Sequence, residues 1–145
     1  MSSHRLHPDA SIEMLNARTP GTLPGWFGVT VTALDAGRLD ATITIRPEML
    51  APNGFLHAAS VIALADTAAG FATIAHLPVG ADSFTTIELK SNFLGTQTEG
   101  EIRCVATAAH TGRNTQVWDA EVIGSSGRTL ALFRCTQMIL WPKAA

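Results

Sequence analysis

The chain has 145 residues, of which 46% are hydrophobic and only 15% are charged, and its formal net charge is −2. This length suits one domain with its own apolar core, and the near-neutral charge gives no electrostatic basis for binding nucleic acid or an anionic membrane surface. The low charged fraction suggests that another subunit covers part of the surface. The ten N-terminal residues are polar and do not resemble a signal peptide.

Two further features bear on the compartment. Cys104 and Cys135 are far apart in strand-like runs, which favours buried, reduced thiols and a cytoplasmic protein. The longest charge-poor run, residues 51–81, is interrupted by polar side chains. It therefore lacks the 18 or more strongly apolar residues in unbroken sequence that a membrane helix needs, and we expect no membrane span.

The N-terminal part, residues 1–24, is predicted to be an extension of the single domain 1–145 that carries a short helix over residues 10–17. Residues 19–28 are rich in Pro and Gly and are predicted to form a loop anchored by Trp26 and Phe27.

Two strands are predicted next, over residues 28–35 and 39–46, because the second alternates apolar and polar side chains. Residues 57–76 then form an alanine-rich segment with no proline and with apolar residues on every face, which is typical of a helix buried inside a domain. Four strand-like runs follow, over residues 83–94, 100–109, 115–123 and 128–140.

The order β-β-α-β-β-β-β with one long apolar helix predicts an α+β fold. A helix can be apolar all round when a curved antiparallel sheet wraps it. A doubly wound fold is disfavoured, because it would need helices between successive strands.

Asp66 is the strongest candidate for a functional group. It is the only Asp, Glu, Lys or Arg between Glu48 and Asp82, and it lies in the middle of the apolar helix. A carboxylate taken out of water is costly unless it is paired, and such acids often have raised pKa values suited to base or nucleophile chemistry. The alternative is that Asp66 faces a solvent channel at the edge of the helix.

The segment before the helix offers a second functional element. Residues 53–59 lead into its first turn, where free backbone N–H groups and the helix dipole can polarise a carbonyl oxygen. His57 is more simply explained as an N-terminal cap than as a proton-transfer residue, and His76 as a partner of the helix C-terminus.

The spacing of Ala58 and Asp66 predicts a shared site. Eight residues correspond to about 12 Å along a helix, so one chain cannot place both on the same carbonyl. Two such helices running antiparallel about a two-fold axis can bring Asp66 of one chain opposite Ala58 of the other. A functional pairing of these elements implies a dimer with two equivalent sites.

The same residues carry a family resemblance. Residues 53–59, Asn-Gly-Phe-Leu-His-Ala-Ala, together with residues 63–68, Ala-Leu-Ala-Asp-Thr-Ala, are similar to the helix motif of hotdog-fold acyl-CoA thioesterases of the phenylacetate-pathway (PaaI-like) family. The position of Asp66, nine residues after His57, is the specific part of this resemblance.

Other segments fit the same family. Residues 84–94 resemble its next strand, and residues 118–120 and the turn at residues 127–128 also match. The resemblance covers about residues 25–140 and implies a hotdog fold, in which the curved sheet wraps one long central helix. It also implies a homodimer or a homotetramer of two dimers.

The resemblance further implies hydrolysis of an acyl-CoA thioester without a metal or other cofactor. Asp66 would be the general base or nucleophile, the N–H of Ala58 the oxyanion donor, and Thr86 a hydroxyl that orients water or the acid. The family usually has Gly-Gly after the histidine, where this chain has Ala58-Ala59. Its usual amide residue is replaced by Ala51, and Asn53 is the candidate substitute.

Several further expectations follow. The acyl group is expected to be short, medium-chain or aromatic, because the helix and the Trp26-Phe27 segment would line its pocket. A metal site is disfavoured, since His57 and Asp66 project to opposite sides of a helix. A hotdog dehydratase or hydratase and a non-catalytic acyl-CoA-binding protein are the alternatives. The candidates for gripping CoA are the basic residues Lys90, Arg103, Arg113 and Arg128.

Overall fold

The computed structural model describes residues 3–144 and has one long helix against a six-stranded antiparallel sheet. The helices are α1 (Ile12–Asn16), α2 (Leu23–Phe27) and α3 (Ala58–Ala75), with a 3₁₀ turn at Pro47–Met49. The strands are β1 (Thr30–Asp35), β2 (Arg38–Ile45), β3 (Ser83–Phe93), β4 (Gly100–Thr111), β5 (Thr115–Ile123) and β6 (Thr129–Leu140). Their order in the sheet is β1-β2-β4-β5-β6-β3, which confirms the predicted α+β fold.

Helix α3 is apolar on all sides because the sheet surrounds it. It contacts strands β2 to β6, and most of its residues are buried. By length and composition alone, with 18 residues and a mean hydropathy of 1.6, this helix would be able to cross a membrane. Burial of most of its residues within the domain accounts for this composition.

Strand β2 shows how alternation directs side chains to the helix. Leu39, Ala41 and Ile43 are all buried, whereas Thr44 between two inward positions is exposed. The period-two pattern thus places one face of the sheet on the core, as predicted.

The N-terminal segment departs from prediction at one element. Residues 19–28 were predicted to be a loop, but they contain the five-residue helix α2. Gly28, at φ +71°, ends α2 in the left-handed conformation that glycine adopts readily, so β1 begins at Thr30 rather than at residue 28. A helix of one turn is too short to give a periodic signal in sequence.

Strand β3 lies at one edge of the sheet and, within residues 3–144, pairs only with β6. A bulge between Thr86 and Glu88 interrupts the pairing, and Ile87, Leu89 and Phe93 are between 40% and 53% exposed. A long edge strand with apolar side chains and unpaired backbone groups readily pairs with another strand.

The two cysteines are free and buried, as predicted. Burial raises the pKa of both thiols. For Cys135 the negative charge of Asp66 is the second cause, and the pKa rises to about 12. Both thiols are therefore protonated and unreactive at neutral pH.

Candidate functional site

The N-terminus of α3 is held by His57. Its side-chain Nδ1 accepts a hydrogen bond from the Ala59 N–H at 2.8 Å, and its carbonyl accepts from Ser60 and Val61. The His57 N–H donates to the carbonyl of Met49. His57 is thus the N-terminal cap, as the capping alternative predicts, and its ring is exposed.

One N–H group of this first turn stays available. The N–H groups of Ala59, Ser60 and Val61 all have acceptors around His57, whereas within residues 3–144 the Ala58 N–H has none. Ala58 is exposed, so a ligand can approach its backbone. A free N–H at a helix N-terminus is suited to bind a developing oxyanion.

Asp66 is half-buried on α3. It shares one helix stripe with Ala59 and Ala63, because residues three, four and seven apart lie on the same face. Burial raises the pKa of its carboxyl group above the ordinary value. Its Oδ1 is buried without a hydrogen-bond partner among the described residues, so the structure contains a carboxylate oxygen able to accept a bond.

Strands β6 and β3 both pack against α3. The charge of Asp66 contributes to the raised pKa of Cys135 on β6, after burial itself. Thr86 on β3 is half-buried and pairs with Gln137 on β6. Within one chain, however, Ala58 and Asp66 remain about 12 Å apart along the helix, so one copy does not bring the two candidate groups together.

Asn53 lies in an exposed turn before α3. Its Oδ1 accepts the N–H of Phe55 at 3.3 Å, and Gly54 adopts φ +88°. Ala51 closes the same turn by donating its N–H to the Phe55 carbonyl. The Asn53 amide therefore serves the turn, and within residues 3–144 no hydrogen bond joins it to Asp66.

A cavity of about 490 Å³ opens beside the N-terminus of α3. Its wall includes His57 and Ala59 from α3 and Trp26 from α2. Trp26 is half-exposed yet fixed: the Arg46 guanidinium stacks 4.5 Å from its ring centre and donates to its carbonyl at 2.6 Å. The segment predicted to line an acyl pocket thus lies next to the oxyanion candidate.

The four basic candidates do not converge on one place. Arg103 lies 3.8 Å from Asp40, and Arg128 donates to the carbonyl of Leu94. Lys90 lines a small surface cavity with Arg134.

Arg113 instead lines a cavity of about 610 Å³ at the C-terminal end of α3, with Arg5, His7 and Trp141. The Arg113 guanidinium stacks 4.1 Å from the Trp141 ring centre. The indole N–H of Trp141 donates to the backbone carbonyl of Arg113 at 3.1 Å. The cavity beside Arg113 is larger than those beside Arg103, of about 360 Å³, and Lys90, of about 170 Å³.

His76 ends α3 and is neutral. Its Nε2 accepts the Gly37 N–H at 2.8 Å, so Nδ1 carries the proton and donates to the Ala72 carbonyl at 2.7 Å. Burial lowers its pKa. Its place at the helix C-terminus agrees with the prediction.

Within residues 3–144, no group of three or more His, Cys, Asp or Glu side chains could hold a metal ion.

Two residues with a bearing on the site were not singled out in the sequence. Arg46 follows β2 and its contact with Trp26 spans 20 residues, which no local pattern reveals. Gln137 is a fully buried amide on β6. The alternation of β6 places it on the inward face. A polar residue at an inward position of a strand was therefore the sequence signal that could have identified Gln137.

Comparison with known proteins gives consistent results. Residues 53–131 match the thioesterase superfamily model. The chain is 28% identical over 140 residues to the Pseudomonas aeruginosa esterase PA1618, covering 97% of this chain and 95% of that protein. It is 27% identical over 130 residues to the Escherichia coli 1,4-dihydroxy-2-naphthoyl-CoA hydrolase, covering 90% and 95%.

Solved structures show the same fold. The crystal structure of a variant of thioesterase PA1618 superposes with a TM-score of 0.87 at 26% identity, covering 93% of this chain and 97% of that chain. The E. coli PaaI protein of the phenylacetic acid degradation operon superposes with a TM-score of 0.77 at 21% identity, covering 93% and 100%. The hotdog architecture expected from sequence is confirmed.

Proposed function

Because this chain belongs to the thioesterase superfamily and hydrolyses acyl-CoA thioesters, we propose that Asp66 is its general base or nucleophile. The observation that carries this proposal is the half-buried carboxylate of Asp66, whose Oδ1 has no partner among the described residues and whose pKa is raised by burial. A carboxyl group in this environment is suited to take a proton from water or to attack the thioester carbon. The test is loss of thiol release on replacing Asp66, with the protein still folded.

The oxyanion of the tetrahedral intermediate is bound by the Ala58 N–H. As the thioester carbonyl is attacked, negative charge develops on its oxygen, and a fixed N–H at a helix N-terminus stabilises that charge. The exposed Ala58 N–H is free for this role, while the neighbouring N–H groups are occupied by His57. Ala58 thus retains the donor that glycine supplies in the resembling family. Thr86, half-buried on β3, supports the acid or the water with its hydroxyl.

The working unit is a dimer, or a tetramer of two dimers, whose sites combine Asp66 of one chain with Ala58 of the other. The 12 Å separation along α3 supports this arrangement, since it prevents one chain from forming the site alone. The exposed edge of β3 supplies an apolar surface at which a second copy can pair.

The acyl group occupies the cavity beside the N-terminus of α3, with Trp26 as an aromatic wall. We expect short-chain, benzoyl, phenylacetyl and hydroxylated aromatic thioesters to be hydrolysed at least as fast as palmitoyl-CoA in a thiol-release screen. Trp26→Ala should lower kcat/KM for aromatic substrates by about tenfold, since aromatic pairs contribute about 0.5–1.5 kcal/mol beyond the area they bury, and should affect acetyl-CoA less. Hydrolysis of palmitoyl-CoA tenfold faster than every short and aromatic member would contradict this assignment.

Basic side chains bind the CoA phosphates. Among the candidates Lys90, Arg103, Arg113 and Arg128 we favour Arg113, which lies beside the cavity of about 610 Å³. Arg113→Ala is expected to raise KM about tenfold with kcat unchanged, because a hydrogen bond to a charged group contributes about 1.5–3 kcal/mol. The same change should leave KM for an acyl-pantetheine substrate, which has no nucleotide, unaltered. If neutralising each of the four in turn leaves KM for acyl-CoA unchanged, this part of the proposal is wrong.

A further inference from the structure

Among the described residues, the buried amide of Gln137 has no hydrogen-bond partner. It lies on the inward face of β6, where Cys135 and Ile139 are also buried, and its side chain is 0% exposed. Neither its Oε1 nor its Nε2 has a partner among residues 3–144. A buried polar group left unpaired destabilises a fold, so its presence at this position calls for a functional reason.

The neighbouring strand provides a direct contrast. Gln116 on β5 stands opposite Gln137 in the sheet and is equally buried. Its Nε2 donates to the His76 carbonyl at 2.9 Å, and its Oε1 accepts from the Trp118 indole N–H at 2.9 Å. Two buried glutamines thus lie side by side, and both polar atoms of Gln116 have a partner.

Asp66 supplies the complementary unpaired atom. Among the described residues, the buried side-chain atoms without partners are Asp66 Oδ1 and the two polar atoms of Gln137. Gly70, one turn after Asp66 on α3, lies against the Phe84 ring on β3, and the charge of Asp66 contributes to the raised pKa of Cys135, two residues before Gln137 on the same face of β6. Thr86, the proposed supporting hydroxyl, is the β3 partner of Gln137. Asp66 and Gln137 therefore belong to the same region between α3 and the β6–β3 pair.

The three unpaired atoms match the bonding capacity of one water molecule. Water accepts one bond from Gln137 Nε2 and donates one bond to Gln137 Oε1 and one to Asp66 Oδ1, and buried waters make about three such bonds. We propose that Gln137 is a positioning residue for Asp66, joined to Oδ1 through one buried water. This inference rests on the proposed role of Asp66. The link holds the Asp66 carboxylate in place. Because the water donates a hydrogen bond to the ionised carboxylate, it lowers the pKa of Asp66 and so counteracts the rise that burial causes.

Gln137→Met tests this link, since methionine keeps the length of the side chain and removes both polar atoms. We expect kcat to fall about tenfold with KM within about twofold of wild type. The acid limb of the kcat–pH profile should move up by about one pH unit, because a lost hydrogen bond to a carboxylate corresponds to about that pKa change. Gln137→Leu is the second variant if the methionine protein does not fold.

Gln116→Met is the matched control. It removes the bonds to His76 and Trp118, so it should lower the melting temperature while leaving the acid limb in place. Unchanged kcat and an unchanged acid limb in the folded Gln137 variant overturn the inference. If Asp66→Asn abolishes activity in the same assays, the proposed function survives that result; if Asp66→Asn stays active, the proposed function itself fails.

A measurement independent of activity completes the test. The change in melting temperature caused by Gln137→Met is compared in the wild-type and Asp66→Ala backgrounds, because alanine removes the Oδ1 acceptor and residues that interact give non-additive effects. Different changes in the two backgrounds support the link. Equal changes in both backgrounds overturn it.

Discussion

Asp66→Asn is expected to lower kcat for acyl-CoA hydrolysis by about 10²–10⁴-fold, the usual contribution of a positioned acid or base. Asparagine keeps the shape of the side chain but has no basic oxygen to accept a proton and is a poor nucleophile. Thiol release from the best acyl-CoA substrate measures the effect. Asp119→Asn is a suitable control, because Asp119 pairs with Arg134 on the opposite face of the sheet from α3, and it should leave kcat unchanged. Retention of more than about a tenth of wild-type turnover by Asp66→Asn would contradict the role of Asp66.

The same variant has a predictable effect on stability. The folded-state pKa of Asp66 is raised by burial, so between the unfolded value near 3.9 and the folded value the native state binds more protons than the unfolded state. The contribution of Asp66 to stability therefore decreases as pH rises through this window, and it stays reduced above it. Asparagine does not titrate. Asp66→Asn is thus expected to melt at a higher temperature than wild type at pH 7–8, with the difference disappearing as pH falls below about 4.

Ala58→Pro is expected to lower kcat by about 10²–10³-fold, because it removes the one N–H proposed to bind the oxyanion. Proline is favoured at the first position of a helix, where no intrahelical bond is lost. The preceding residue, His57, has φ −64° and ψ 136°, which suits a residue before proline. Ala58→Gly keeps the N–H and is the control. Equal activity of the proline and glycine variants would remove Ala58 from the mechanism.

Mixing these two variants tests the shared site. In a heterodimer of Asp66→Asn and Ala58→Pro chains, one site carries both changes and the other carries neither. Refolded or co-expressed mixtures should therefore recover activity, up to about half the wild-type value per heterodimer. If each site is built within one chain, both sites stay impaired and mixing restores nothing.

The fold was predictable because its signals are local. The alternation of Leu39, Ala41 and Ile43 identifies a strand with one buried face, and the charge-poor residues 57–76 identify a buried helix. The five-residue helix α2 escaped detection because one turn is too short to show a period. The strand order was not accessible, since the pairing of β3 with β6 depends on contacts between distant segments.

The site was predictable only in part. Asp66 stands out in sequence because a lone carboxylate in an apolar helix needs an explanation. The sequence does not show which N–H groups of the first turn stay free, since that depends on the rotamer of His57. Arg103 and Arg113 look alike in sequence, yet the first lies beside Asp40 and the second stacks on Trp141 beside a cavity.

The pairing of β3 with the C-terminal strand also bears on how the chain folds. Ser83 pairs with Leu140, so among the described strands β3 has no sheet neighbour until the chain has been synthesised through β6. Until then the apolar α3 lacks part of the sheet that shields it. Such long-range pairing slows folding and leaves hydrophobic surface open to aggregation in the meantime. We therefore expect folding to be completed after translation, and fragments that end before β6 to aggregate.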